Sequence, residues 1–320
     1  MATPGASPTP SRPRAVLAIL LVTVLWGWTF VWMKSAVLAG ERELGADGLV
    51  ATVGLFMTLR FGLATLVLGA VGPLRRRLDR GAWRGGFAIG ALLLGGFLLQ
   101  MFGLAGVSAP VSAFLTSLYV VFTALLTSAR TRRPVGAWLA LGTLLATFGA
   151  GFISGPPQLS FGTAEWLTVG CAFLFALHIL ATDSVTRRHD PMAVTLTAFV
   201  WVTLGSALTL ALGLRSIDAG RLGGLLASGD FLGPLVLSSL LATVLALSLM
   251  NTFQRELDPV RAAILYAIEP VWASLVSIGL GLSVPDRWLW IGGSALLAGN
   301  LLAELGPLLA RRRAARAAGT

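Results

Sequence analysis

The sequence predicts an all-α, polytopic membrane protein of ten transmembrane helices, arranged as two inverted five-helix repeats. Three observations predict it. Only 12% of the 320 residues are charged and 56% are hydrophobic, with a mean hydropathy of +0.82, whereas soluble domains carry about 25% charged residues. Apolar runs long enough to cross lipid recur along the whole chain. The second half also echoes the first at a nearly constant offset.

A hydrocarbon core of about 30 Å needs roughly 20 apolar residues per helix. Spans of that size fall at 15–39, 50–72, 84–106, 110–129, 135–154, 163–185, 192–214, 232–254, 260–282 and 287–309. Only the uncharged stretch from Gly103 to Pro110 separates the third from the fourth. Residues 1–14, rich in Pro, Ser, Thr and Ala, are expected to be disordered, and 310–320 to form a basic tail. The first apolar run is too long for a cleaved signal.

Orientation follows from the cations, because Lys and Arg are retained on the cytoplasmic side during insertion. With the N-terminus inside, eighteen of the 24 Lys and Arg residues fall in cytoplasmic segments and four outside; Lys34 and Arg60 lie within spans. Both termini are therefore expected in the cytoplasm, with the chain in a bacterial inner (plasma) membrane. The net charge of +10 punctuates apolar spans instead of forming a basic face, so nucleic acid is not an expected partner. Cys171 is the sole cysteine, His178 and His189 do not form a zinc pair, and no Walker motif is present. Neither cofactor, metal nor enzymatic activity is expected.

An offset of 149 maps Pro110 and Val111 onto Pro259 and Val260, Leu25 onto Leu174, and Met101 onto Met250; an offset of 151 maps Gly142 onto Gly293. Five spans per half is an odd number, so the repeats at 15–154 and 155–309 run in opposite senses across the membrane. Small residues four apart (Gly86 and Gly90; Gly142, Ala146 and Ala150; Ala295 and Gly299) let helices approach closely and offer a homodimer contact.

A charge at a helix centre in lipid costs about 2.5–3.5 kcal/mol, so such residues need a partner or a wet cavity. Glu269 lies mid-span, with Pro270 after it and Tyr266 three residues before it on the same face. Two readings stand: a cavity lining, or a buried partner for Arg60. His178 is central in the sixth span, and Gln100, Tyr119, Asn251 and Gln254 add hydrogen-bonding capacity. Trp26 is too deep for an interfacial belt and suits stacking against a flat ligand, whereas Lys34 is expected to snorkel outward.

Trp26-Gly27 with Phe30, Arg60-Phe61, Ser117 to Phe122, Pro259 to Ala263, Glu269-Pro270-Val271 and Gly292-Gly293 follow one another in an order that resembles the EamA family of the drug/metabolite transporter superfamily. The region around Tyr119 resembles the YddG-like branch of metabolite and amino-acid exporters. The resemblance covers residues 15–308. It implies a central cavity lined by spans one, three, four, six, eight and nine, holding a small-molecule substrate at Trp26, Gln100, Tyr119, His178, Asn251, Tyr266 and Glu269. Two departures stand out. Gly281-Leu282-Ser283 lacks the acid that often follows the ninth span, and Val120-Val121 replaces a proline common in the fourth. The expected function is export or exchange of amino acids or related compounds by alternating access. A facilitative pore and a lipid-acting membrane enzyme are the alternatives.

Overall fold

The computed structural model describes residues 13–75, 77–132, 136–152, 156, 161–257 and 265–317. The Pro259 to Ala263 motif and residues 1–12 of the N-terminal segment lie outside the described residues, as do the side chains of Glu304 and the basic tail.

The described chain is helical throughout. We label the segments α1 (Pro13–Leu44), α2 (Leu49–Gly69), α3 (Arg80–Gly106), α4 (Ala109–Thr131), α5 (Ala137–Phe152), α6 (Thr163–Thr186), α7 (Pro191–Gly213), α8 (Gly229–Glu256), α9 (Glu269–Gly279) and α10 (Arg287–Ala317). Seven stretches among the described residues are long and apolar enough to cross a membrane: α1 to α4 and α6 to α8, with α2 counted from Ala46. The chain is a multi-pass membrane protein. Its helix starts are written in the sequence: Asp79 caps α3 through Ala82 N, Ser108 caps α4 through Val111 N, and Asp190 caps α7 through Met192 N and Ala193 N.

The inversion of the repeats is visible in two helix pairs. In α2 and α7, Gly54 meets Leu210 and Thr209 near one end, while Gly69 faces Leu196 at the other. In α5 and α10, Gly142 meets Gly299 and Ala303, Gly149 meets Gly292 and Leu296, and Gly306 meets Trp138. Equivalent helices of the two halves thus pack antiparallel on one another. The remaining contacts obey the same symmetry: α3 packs on α6 as α1 packs on α8, and α1 packs on α9 as α6 packs on α4. The small residues at 86, 90, 142 and 299 are consumed in these contacts within the chain, Gly86 and Gly90 against Thr197 and Ala198.

Three helices are irregular. α4 breaks at Ser117-Leu118, where Leu118 N bonds Leu115 O and Val120 N bonds Ser117 O. The ninth span breaks in the same way at Ala267-Ile268, with Ile268 N on Leu265 O and Val271 N on Ile268 O. Pro270 sits in the first turn of α9, where its missing N–H costs nothing. α4 makes its break without proline, and Asn300 of α10 donates to Ser117 O at 3.1 Å and Ser117 Oγ at 2.9 Å. In α8, Ser238–Leu245 winds as a π-helix, following Pro234 within the preceding turn.

Candidate functional site

The breaks place polar groups at the centre of the molecule. A central cavity is lined by residues of α1, α3, α4, α6, α8 and the ninth span. These are the six spans that the family resemblance implied. Six of the seven expected residues line it: Trp26, Gln100, Tyr119, His178, Tyr266 and Glu269.

Glu269 is buried in the first turn of α9, a favourable end for a carboxylate because the helix dipole is positive there. Tyr119 Oη donates to Glu269 Oε2 at 3.0 Å and lies 3.3 Å from the Tyr266 carbonyl oxygen. Tyr266 stacks on Trp26, with ring centroids 5.8 Å apart, and its hydroxyl donates to Gln254 Oε1 at 3.1 Å. Trp26 Nε1 donates to Ala242 O within the π-helix at 3.2 Å. Gln100 donates to Thr116 Oγ1 at 3.3 Å. The rest of the wall is apolar, chiefly Phe30, Met33, Phe97, Phe175, Leu247 and Met250.

Three expectations are corrected. Asn251 does not line the cavity: its Nδ2 donates to Thr195 Oγ1 of α7 at 2.6 Å, tying two helices. Met250 faces the cavity instead, and a helix turns about 100° per residue, so its neighbour points elsewhere. Arg60 does not pair with Glu269. Its Nε donates to Thr243 Oγ1 at 2.7 Å, Nη1 to Met33 Sδ at 3.5 Å, and its Cζ lies 4.5 Å from the Phe97 ring centroid. Lys34 does not simply snorkel: its Nζ donates at 2.6 Å to Leu104 O, in the last turn of α3 where carbonyls lack helical partners.

A second, wider vestibule adjoins the first cavity and shares Tyr119, Ile179 and Tyr266 with it. Thr123, Thr127, Arg130, Thr131, Asp183 and Gln254 line this vestibule, at the arginine-rich end of the molecule. The two tyrosines and Ile179 therefore stand between the two volumes. The opposite end is held by an Arg42–Asp230 ion pair of 2.6 Å, by Arg221 Nε on Glu43 O at 3.1 Å, and by α1 against α9. At that last contact a Cβ on Gly27 would lie 2.5 Å from Trp272 Cβ, so only glycine allows the approach. The signal for these closing contacts was absent from local sequence, since each joins residues far apart in the chain.

Two inverted repeats in a membrane, closed at one end around a buried cavity with polar groups on broken helices, define the architecture of a secondary transporter. Comparison with known proteins agrees. The model of the EamA-like transporter family matches residues 13–155 and again 162–304, once for each repeat. The chain belongs to this family, within the drug/metabolite transporter superfamily. It is similar to an uncharacterized transporter of Archaeoglobus fulgidus, 24% identical over 311 residues that cover 94% of this chain and 89% of that protein. A solved crystal structure of a protein shares the fold with a TM-score of 0.63 at 18% identity, covering 94% of this chain and 99% of the other.

Proposed function

We propose that this transporter carries small amino-bearing metabolites, amino acids and related compounds, by alternating access through the central cavity. One observation carries the reading: a largely apolar cavity with several aromatic walls presents a single lining carboxylate among the described residues, Glu269, hydrogen-bonded to Tyr119 and flanked by the Trp26–Tyr266 stack. Aromatic faces hold the flat or apolar part of a ligand, and together with a carboxylate they attract an ammonium group. Gln100 and His178 offer hydrogen bonds to the remaining polar atoms.

The chain has ten spans in this reading, with both termini in the cytoplasm of a bacterial cell. The vestibule then opens inward, and the tyrosine pair separates it from the bound substrate. Movement of α1 and α8 relative to α3 and α6 exchanges the closed and open ends, and the π-helix of α8 supplies a place to bend. Counterflow of labelled amino acids in proteoliposomes tests the proposal. Uptake accelerated by unlabelled substrate inside, and lost in Glu269→Gln, is the expected result. Uptake without acceleration makes the protein a facilitative pore. No uptake of any amino compound by folded protein removes the substrate class.

A further inference from the structure

Arg60 takes no part in the reading above, yet its position demands an explanation. The side chain is fully buried in α2 and makes no ion pair among the described residues, and its Nη2 has no hydrogen-bond partner. What surrounds it offsets little of a positive charge: a threonine hydroxyl, the Met33 thioether, and the faces of Phe97 and Phe61, whose ring centroids lie 4.5 and 5.4 Å from Cζ. A buried cation without an anion is costly. Structural bracing alone is served by a neutral donor.

Met33 and Phe97 are themselves walls of the central cavity. The guanidinium thus lies directly behind the wall, one side chain from the open volume. Its level is fixed as well: Arg60 bonds Thr243 while Trp26 bonds Ala242, consecutive residues of the π-helix, so Arg60 and the stacking tryptophan occupy one layer. Met33 is unbranched and adaptable, and its sulfur is a weak acceptor, so displacing it frees Nη1 at little cost, beside an Nη2 that already lacks a partner. Two guanidinium N–H groups side by side match the two oxygens of a carboxylate.

We infer that Arg60 is a carboxylate-binding residue of the cavity, and that it selects zwitterionic amino compounds over simple amines. The inference rests on the carrier reading and adds a second pole to it: Glu269 receives the ammonium, and Arg60, uncovered by Met33, receives the carboxylate. A zwitterion leaves both buried charges paired. An amine leaves Arg60 alone.

Counterflow of phenylalanine and of phenethylamine, which keeps the ring and amine but lacks the carboxylate, tests this with the full-length protein in proteoliposomes. The parent is expected to exchange phenylalanine about tenfold or more faster than phenethylamine, and Arg60→Gln to reduce that ratio by a similar factor. Arg60→Lys should restore part of it. Equal loss of both compounds in Arg60→Gln, or an unchanged ratio, overturns the assignment and makes Arg60 structural. Met33→Ala supplies a second handle: it should lower the half-saturating concentration of phenylalanine alone, and an identical shift for both compounds counts against the proposal. Phenethylamine exchanged without phenylalanine removes the Arg60 assignment and leaves the carrier reading standing. Exchange of neither by folded parent removes both.

Discussion

Tyr119 and Glu269 lie 150 residues apart, occupy equivalent places just after the breaks of α4 and the ninth span, and hydrogen-bond each other at 3.0 Å. Repeat-related residues meet in this way only beside the axis that relates the two halves. The same backbone irregularity, copied by duplication, has come to hold a phenol in one half and a carboxylate in the other. The symmetry places the pair at the centre, and the divergence gives it chemistry.

Tyr119→Phe therefore removes the hydroxyl that donates to Glu269, without changing the ring's packing. A hydrogen bond to a charged group is worth about 1.5–3 kcal/mol, so exchange is expected to fall roughly tenfold or more while the melting temperature in detergent moves little. Glu269→Gln keeps an acceptor for Tyr119 but loses the charge, and its loss of amino-compound exchange should be the larger. Equal activity of Tyr119→Phe and the parent removes the bond from the mechanism.

The helix pairs on the axis give a stability prediction. A Cβ at Gly54 would overlap the backbone of Leu210, and one at Gly149 the backbone of Leu296. Backbone cannot rotate away as a side chain can, so Gly54→Val and Gly149→Val should each cost at least the roughly 1–3 kcal/mol typical of overpacking. Gly229→Val, where nothing lies within 4 Å of the added carbon, should be neutral. Thermal melting of the purified variants checks all three.

Much of this was legible in the sequence. Span length and the repeat offset located the helices, and a carboxylate followed by proline in an apolar run marked Glu269 as central. The break in α4 was hidden because Val120 stands where Pro270 stands in the other half, and Asn300, far away in α10, satisfies the exposed carbonyl instead. Asn251 misled because polarity does not reveal azimuth: Met250 faces the cavity and Asn251 faces Thr195. Arg60 misled because a buried cation suggests a carboxylate partner, whereas ring faces and a thioether surround it here.

Gly27 links packing to conformational change. α1 and α9 touch there on the side of the cavity away from the vestibule, with 2.5 Å between an added Cβ and Trp272 Cβ. Gly27→Ala should hold these helices apart and favour the state open at that end. In such a variant Met33→Cys, on the cavity wall, is expected to react faster with a membrane-impermeant maleimide added from the side of the Arg42–Asp230 pair. An unchanged rate means that the α1–α9 contact does not gate access.

Topology and conformation are tested together by single cysteines in a Cys171→Ala background. Thr127 is exposed and lines the vestibule, whereas Gly229 begins α8 at the opposite end with open space around it. In the proposed orientation, which rests on the arginine bias, the vestibule faces the cytoplasm. Thr127→Cys should therefore be labelled by an impermeant maleimide in inside-out vesicles and Gly229→Cys only in right-side-out vesicles. Substrate should slow labelling of Thr127→Cys if the tyrosine pair closes over an occupied cavity and draws α4 toward the ninth span. Labelling of both cysteines with the sides reversed would turn the whole arrangement over in the membrane and make the same vestibule face outward.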